Sequence, residues 1–378
     1  MKTLNRIKVL LVKELLQLLR DKVLVIATIY LFTVDIFLAA SGVNLTLNRV
    51  SFKTLDFDKT SVSRDLIDRF RPPYFEYRGE VPRRVQAEEL LEQGKILAYL
   101  EIPDGFEQSL KTNQKTQVLL LVDTSNAIMG YLIAGYSAGI VAGFSQEKSL
   151  ETLGLMPEMI ERLPLVEGAS RVLFNPNQEE TWFNALSELL TVITLLTMLL
   201  PAAALVREKE RGTIEQLLVS PARPLEILLA KIFAMTLVIL LGVLAATSFI
   251  IKGTFHIPMR GSLPVFLMIT CFYVFTSSGY GLLIGGIANN LAQVGLLTII
   301  AIAPIVFLSG TWTPPEAMPF WLSSMMSFSP LFYFIQMAYG LFFKGVGWDF
   351  LLPKIAKMLA LGFLVLWGSA FAFKRRFF

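Results

Sequence analysis

Cysteine and histidine are nearly absent: one of each, Cys271 and His256, in 378 residues. A disulfide framework and a Cys/His metal site are therefore excluded by arithmetic, and both residues read as packing or surface positions. Charged residues are also scarce, at 17% against 54% hydrophobic, and the mean hydropathy is +0.58. That balance lies above the apolar share of an ordinary globular domain and predicts a chain that lives in a bilayer. Nucleotide-binding and hydrolytic signatures are missing as well. The Gly94-Lys95 pair lacks the earlier glycine of a phosphate-binding loop, and neither a His-Glu-x-x-His helix nor a Gly-x-Ser-x-Gly turn occurs. The chain is expected to be no enzyme and to hold no cofactor or metal. Its net charge is +4, but the basic residues collect beside apolar runs instead of forming one continuous face, which argues against nucleic acid as a partner.

What is present is a series of apolar runs. A bilayer core about 30 Å thick needs about 20 mostly apolar helical residues, and six segments meet this: 23–40, 182–206, 228–251, 265–288, 291–309 and 355–373. Lys2, Arg6, Lys8, Lys13, Arg20 and Lys22 precede the first, Arg207, Lys209, Arg211 and Arg223 follow the second, and Lys374, Arg375 and Arg376 follow the last. Six crossings put all three clusters, and both termini, on the cytoplasmic side. Residues 127–144 form a seventh apolar run, but a crossing there would set the later basic clusters opposite the first. It is read as a buried or membrane-resting helix whose Gly130, Gly135, Gly139 and Gly143 permit close backbone approach. Residues 1–22 are amphipathic, with Ile7, Leu10, Leu11, Leu15 and Leu18 at helical spacing, and read as an interfacial helix.

Residues 41–181 are too many for a connector and are expected to form an extracytoplasmic α+β domain. Within it, 85–93 is predicted helical and ends at Gly94, 63–70 forms another helix, and 96–102 and 118–122 are strands separated by the Pro103-Asp104-Gly105 turn. The expected fold is thus an α-helical integral membrane protein with six transmembrane helices, an N-terminal amphipathic helix and this α+β domain between the first two spans.

The most informative stretch is 207–231, between the second and third spans. Glu208, Glu210, Gly212, Thr213, Glu215, Leu217, Leu218, Pro221, Glu226 and Lys231 stand in it at unbroken spacing. Charges of both signs crowd its start, Gly212-Thr213 offers a break and a cap, and 215–219 suits a short docking helix stopped by Pro221 and Pro224. The segment resembles the hallmark of ABC-2 type permeases, and the order of parts resembles bacterial multidrug-export-like members with a large extracytoplasmic domain. The resemblance implies a coupling helix received by a separate ABC ATPase subunit, with Glu208, Glu210, Arg211, Gly212, Thr213, Glu215 and Pro221 as the coupling residues. It further implies an inner-membrane exporter of drug or lipid-like substrates, working as a homodimer or with a sister permease, and in some layouts with a periplasmic adaptor.

Asp35 and Glu188 sit inside the first and second spans, where a carboxylate is expensive. With Thr191 they are the candidates for the translocation path, against the simpler reading that the carboxylates lie in the wet interface. The Glu188, Thr191, Thr194, Thr197 face equally suits hydroxyls bonded to their own helix. Ser277, Ser278, Gly279, Gly281, Gly285 and Gly286 form a small-residue packing surface. Residues 310–343, broken by Pro314, Pro315, Pro319 and Pro330 and carrying Trp312 and Trp321, are expected to be a re-entrant external element. Two other classes compete: a membrane-anchored receptor or assembly scaffold, and an ion-coupled secondary transporter, for which no internal repeat is visible.

Overall fold

The computed structural model describes residues 2–42, 47–112, 114–125, 127–152, 174–177, 179–213, 223–311 and 318–377. The chain divides into two compact units, Asn44–Ser170 and the remainder.

The larger unit is helical. Helix α1 (Lys2–Leu19) leads into α2 (Lys22–Gly42), which starts at an Asp21 cap and contains a π-helical turn at Leu31–Asp35. The other unit, Asn44–Ser170, is an α+β fold. Strands β1 (Val50–Asp56), β2 (Phe75–Glu80), β3 (Ala98–Ile102) and β4 (Leu119–Val122) form one sheet in the order β2-β1-β3-β4. β1 runs parallel to β2 and β3, with Phe52 opposite Tyr77 and Ala98, and β4 is antiparallel to β3. The two parallel pairs require crossovers, supplied by α3 (Ser61–Asp68) and α4 (Arg84–Glu92). Helices α5 (Phe106–Lys111) and α6 (Ala127–Thr152) complete the unit. Strand alternation divides the apolar residues between two faces. Phe52, Ala98, Leu100 and Ile102 join Leu66, Phe106, Ile133 and Phe144 in one core, while Leu55 and Tyr99 pack with Val81, Ala87 and Ile96 in another.

The expected helices and strands are present with bounds shifted by a few residues. The sequence reading did not foresee β1, β2 or α5. β1 carries Lys53, Thr54 and Asp56 among its apolar residues, and half of β2 (Phe-Glu-Tyr-Arg-Gly-Glu) is charged, so neither shows the apolar run that announces a buried strand.

In the helical unit, α7 (Glu180–Glu210), α8 (Pro224–Ala245, continuing as a π-helix to Thr254), α9 (Leu263–Ile287), α10 (Leu291–Phe307), α11 (Phe320–Met326), α12 (Pro330–Tyr339, with a π-helical end Gly340–Lys344) and α13 (Trp348–Phe377) follow. α7 is the axis: α2, α8, α9, α10 and α12 all pack on it. The approach is closest where side chains vanish. A Cβ on Gly281 would lie 2.3 Å from the Met198 carbonyl oxygen, and one on Gly362 of α13 would lie 2.1 Å from Thr276. Gly279, Gly281 and Gly285 thus act as the small-residue packing surface, whereas Gly286 faces open space.

Among the described residues, six helices are long and apolar enough to cross a bilayer: α2, α6, α7, α8, α9 and α13. This set includes α6 and leaves out α10, which at 17 residues is shorter, about 25 Å at 1.5 Å per residue. Packing distinguishes the two. α6 buries Ile133 and Phe144 in the core of the α+β unit, and α10 lies against α7 and α9. Of the four α6 glycines, only Gly130 is closely approached, by Thr124; Gly135, Gly139 and Gly143 have open space above them. α11 and α12 meet at a bend of 83°, the geometry of a broken span or re-entrant loop. α13 begins earlier than its apolar run because the helix accommodates Lys354, whose Nζ donates to Gln336 at 2.5 Å and lies 4.5 Å from the Phe350 ring.

Candidate functional site: a charge hub at the end of the central helix

The last four residues of α7, Arg207-Glu208-Lys209-Glu210, each bond to a different part of the helical unit. Arg207 Nη2 pairs with Asp21 at 2.6 Å, and Asp21 in turn accepts the Leu24 amide at 3.0 Å as the cap of α2. Glu208 pairs with Lys231 of α8 at 2.8 Å and with Lys13 of α1. Lys209 Nζ donates to the carbonyls of Gly285, Gly286 and Ala288 at 2.6, 2.7 and 2.9 Å. These are carbonyls left over where α9 ends, and a cation there also meets the negative end of the helix dipole. Glu210 accepts the Leu291 amide at 3.1 Å, satisfying an orphan donor at the start of α10.

At the centre stands a buried quartet. Lys231 Nζ is 2.8 Å from both Glu14 and Glu208, and Lys13 reaches the same two carboxylates, at 3.1 Å for Glu14. Lys231, Glu208 and Glu14 are 0%, 1% and 2% exposed, and Lys13, whose side chain is 39% exposed, completes the balance of two cations and two anions from the solvent side. Burial pushes the Glu14 carboxyl up, but Lys231 and Lys13 outweigh it and hold the group below the ordinary carboxylate range. Burial likewise pulls Lys13 down, and Glu14 with Glu208 more than reverses this. A neighbouring contact ties α1 to α8 again: Arg6 lies 3.8 Å from Glu226, which accepts the Arg223 amide at 2.9 Å. The other face of α1 presents Val9, Val12, Leu16 and Leu19 outward.

Beyond the hub the helix stops. Gly212 takes a left-handed conformation with φ of 65°, which glycine adopts without steric cost after a helix end. Arg211 is exposed, and Thr213 Oγ1 donates to the Glu208 carbonyl at 3.4 Å. Glu215 and Pro221 lie outside the described residues. Of the seven expected coupling positions, therefore, Glu208 is buried, Glu210 is exposed but bonded to the start of α10, and Arg211 faces outward. Sequence reasoning singled out the 207–231 segment but missed Lys13, Glu14, Asp21 and the role of Lys209. Lys13 and Glu14 are 195 and 217 residues from their partners in sequence, and only their interruption of an apolar helical pattern marked them.

The path candidates are brought together in part. The carboxyls of Asp35, in the π-helical turn of α2, and Glu188 of α7 interact directly. Both are half-buried. Thr191 Oγ1 donates to the Ser187 carbonyl at 2.9 Å, and Thr194 and Thr197 likewise donate to their own helix, at 2.7 and 2.6 Å. Thr194 additionally meets the Tyr273 hydroxyl at 2.8 Å, joining α7 to α9.

Comparison with known proteins matches residues 23–371 to the ABC-2 family transporter proteins. The inner membrane transport permease YhhJ of Escherichia coli K12 is 30% identical over 366 residues, covering 96% of this chain and 95% of that protein. The probable multidrug ABC transporter permeases YbhR and YbhS of the same strain are 25% and 28% identical, YbhR over 94% of this chain and 95% of its own length, YbhS over 90% and 89%. The hub, the helical unit around it and the full-length similarity agree: the chain belongs to the ABC-2 family of transporter permeases.

Proposed function

We propose that the chain is the membrane-spanning permease subunit of an ABC exporter in a bacterial inner membrane, driven by a separate ATPase subunit and carrying a hydrophobic or amphipathic substrate outward. The spans in this reading are α2, α7, α8, α9, α10 and α13. The Arg207 end and both termini are cytoplasmic, and the α+β unit is external. One observation carries the mechanism. The helix end that opens into the 207–231 connection is bonded to α1, α2, α8, α9 and α10 at once. A push delivered to that connection by closure of an ATPase dimer therefore moves the inner ends of these helices together.

Family membership supports a transport role, and the word multidrug in the names of the YbhR and YbhS permeases supports an amphipathic cargo by analogy. The Asp35–Glu188 contact supports assigning these carboxyls, with Thr191, to the outer part of the path, where a second permease copy would contribute the same groups. In this assignment Arg211, Gly212, Thr213, Glu215 and Pro221 form the ATPase-facing surface, while Glu208 positions it from within and Glu210 anchors it to the start of α10. The test is co-purification of the detergent-solubilised chain with candidate ABC ATPase subunits. Retention by the native chain and loss in an Arg211→Ala, Glu215→Ala variant is the expected result. Absence of any retained ATPase with the native chain, ATP-bound ATPase included, overturns the exporter reading.

A further inference from the structure

The α+β unit contains a cavity of about 260 Å³ between α5, α6 and the segment leading to β4. It lies just under the roughly 300–1,000 Å³ usual for drug-sized ligands, so it suits a small molecule. Its floor is continuous with the core of the unit. Phe106 and Phe144, stacked with ring centroids 6.1 Å apart, are buried members of that core, and Leu110 and Val141 pack against it while lining the cavity. Apolar surface facing an open cavity is unfavourable in water unless something covers it.

The mouth has the opposite character. Lys115, Lys148 and Ser145 line it, and among the described residues the lining includes no carboxylate. The carboxylates of this region stand outside the lining and are paired with Lys148 and Arg69. Asp65 and Glu151 hold Lys148 at 3.3 and 2.9 Å, and Arg69 pairs with Asp65 and Glu147 at 3.5 and 2.8 Å. Lys148 is thereby fixed near the Phe144 ring, 5.9 Å from its centroid. Lys115 is exposed and makes no ion pair among the described residues.

We propose that this cavity is a binding site for a small amphipathic anion, its apolar body on Phe106, Leu110, Val141 and Phe144 and its acidic head at Lys115 and Lys148. This goes beyond the transport reading and does not depend on it.

The single native cysteine makes a direct test available. In a Cys271→Ala background, Ser145→Cys places one thiol at the mouth, and Ser61→Cys places one on the same unit away from the cavity. The full chain in lipid nanodiscs is labelled with a water-soluble maleimide in the presence of octanoate, 1-octanol, acetate or octylammonium. Octanoate is expected to slow labelling at 145 by about tenfold once it exceeds its Kd by that factor, as mass action requires, and to leave labelling at 61 unchanged. Acetate lacks the body and octylammonium has the wrong charge, so neither protects. Lys115→Gln, at an exposed position where folding is not at risk, raises the octanoate concentration needed severalfold, and Val141→Phe, which fills the cavity, abolishes protection. Equal protection by 1-octanol and octanoate, or none by octanoate, overturns the proposal. Protection that survives Lys115→Gln and Lys148→Gln unchanged also overturns it.

Discussion

Replacing Lys231 by methionine tests the buried quartet most sharply. The quartet carries two ammonium and two carboxylate groups, and three of the four side chains are almost wholly removed from solvent. Methionine preserves most of the stem but leaves Glu14 and Glu208 to share Lys13, a net negative charge on two carboxylates that are themselves 2% and 1% exposed. Removing one partner of a buried ion pair costs about 3–5 kcal/mol, because the remaining charge stays desolvated. With about 2–4 °C of Tm per kcal/mol for a unit of this size, Lys231→Met should lower Tm on the order of 10 °C. Intrinsic tryptophan fluorescence is the suitable assay. All five tryptophans lie at or after position 182, so the melt reports on the helical unit and not on the α+β unit. The double variant Glu14→Gln, Lys231→Met removes one charge of each sign and should recover most of the loss. A shift of the single variant within about 2 °C, below the effect of 1 kcal/mol, would refute the reasoning, as would a double variant no more stable than the single.

The same quartet fixes a pH window. Glu14 is held below its ordinary value, so its contribution is present above the unfolded carboxylate pKa of about 4.3 and lost as pH falls through the lower folded value. Lys13 is held above its ordinary value, so its contribution is present below about 10.4 and lost as pH rises through the higher folded value. The Tm difference between the native chain and Glu14→Gln should thus be flat from about pH 5 to 10 and shrink outside it. Gly281→Ala puts a Cβ 2.3 Å from the Met198 carbonyl, and forcing α7 and α9 apart should cost about 1–3 kcal/mol in the same melt, whereas Gly286→Ala, with open space above it, should be close to neutral. Lys209→Ala frees three carbonyls at the end of α9 and should cost about 1.5–3 kcal/mol, the scale of hydrogen bonds to a charged group, with Lys209→Arg recovering part of it. For the path assignment, Asp35→Asn with Glu188→Gln should impair export measured in vesicles while leaving ATPase co-purification intact; unchanged export across pH removes both carboxyls from the path.

Much of the fold was legible without coordinates because long apolar runs, basic flanks and capping residues are local signals. The helices of the membrane unit, the separate α+β unit and the break near Pro319–Pro330 all follow from them. The segment 127–144 illustrates the limit. By length and apolar composition α6 qualifies as a span, and it was charge parity that argued it out of the bilayer; its place in the α+β unit is a matter of which core receives Ile133 and Phe144. Strands β1 and β2 were hidden because their charged residues obscure the alternation that marks a buried strand.

The sequence by itself determined that this is a membrane protein, which segments are apolar enough to cross, and that the charged 207–231 connection is its most distinctive part. Tertiary structure alone decided what those charges do. Arg207, Glu208, Lys209 and Glu210 read along the chain as a polar surface segment, yet successive residues on a helix point about 100° apart, and five neighbouring elements crowd this helix end. Each charge therefore meets a different partner, up to 195 residues away in sequence for Glu208 and Lys13. Pairing at such separation leaves no periodic or local trace, because it depends on how whole helices pack and not on what adjoins them in the chain.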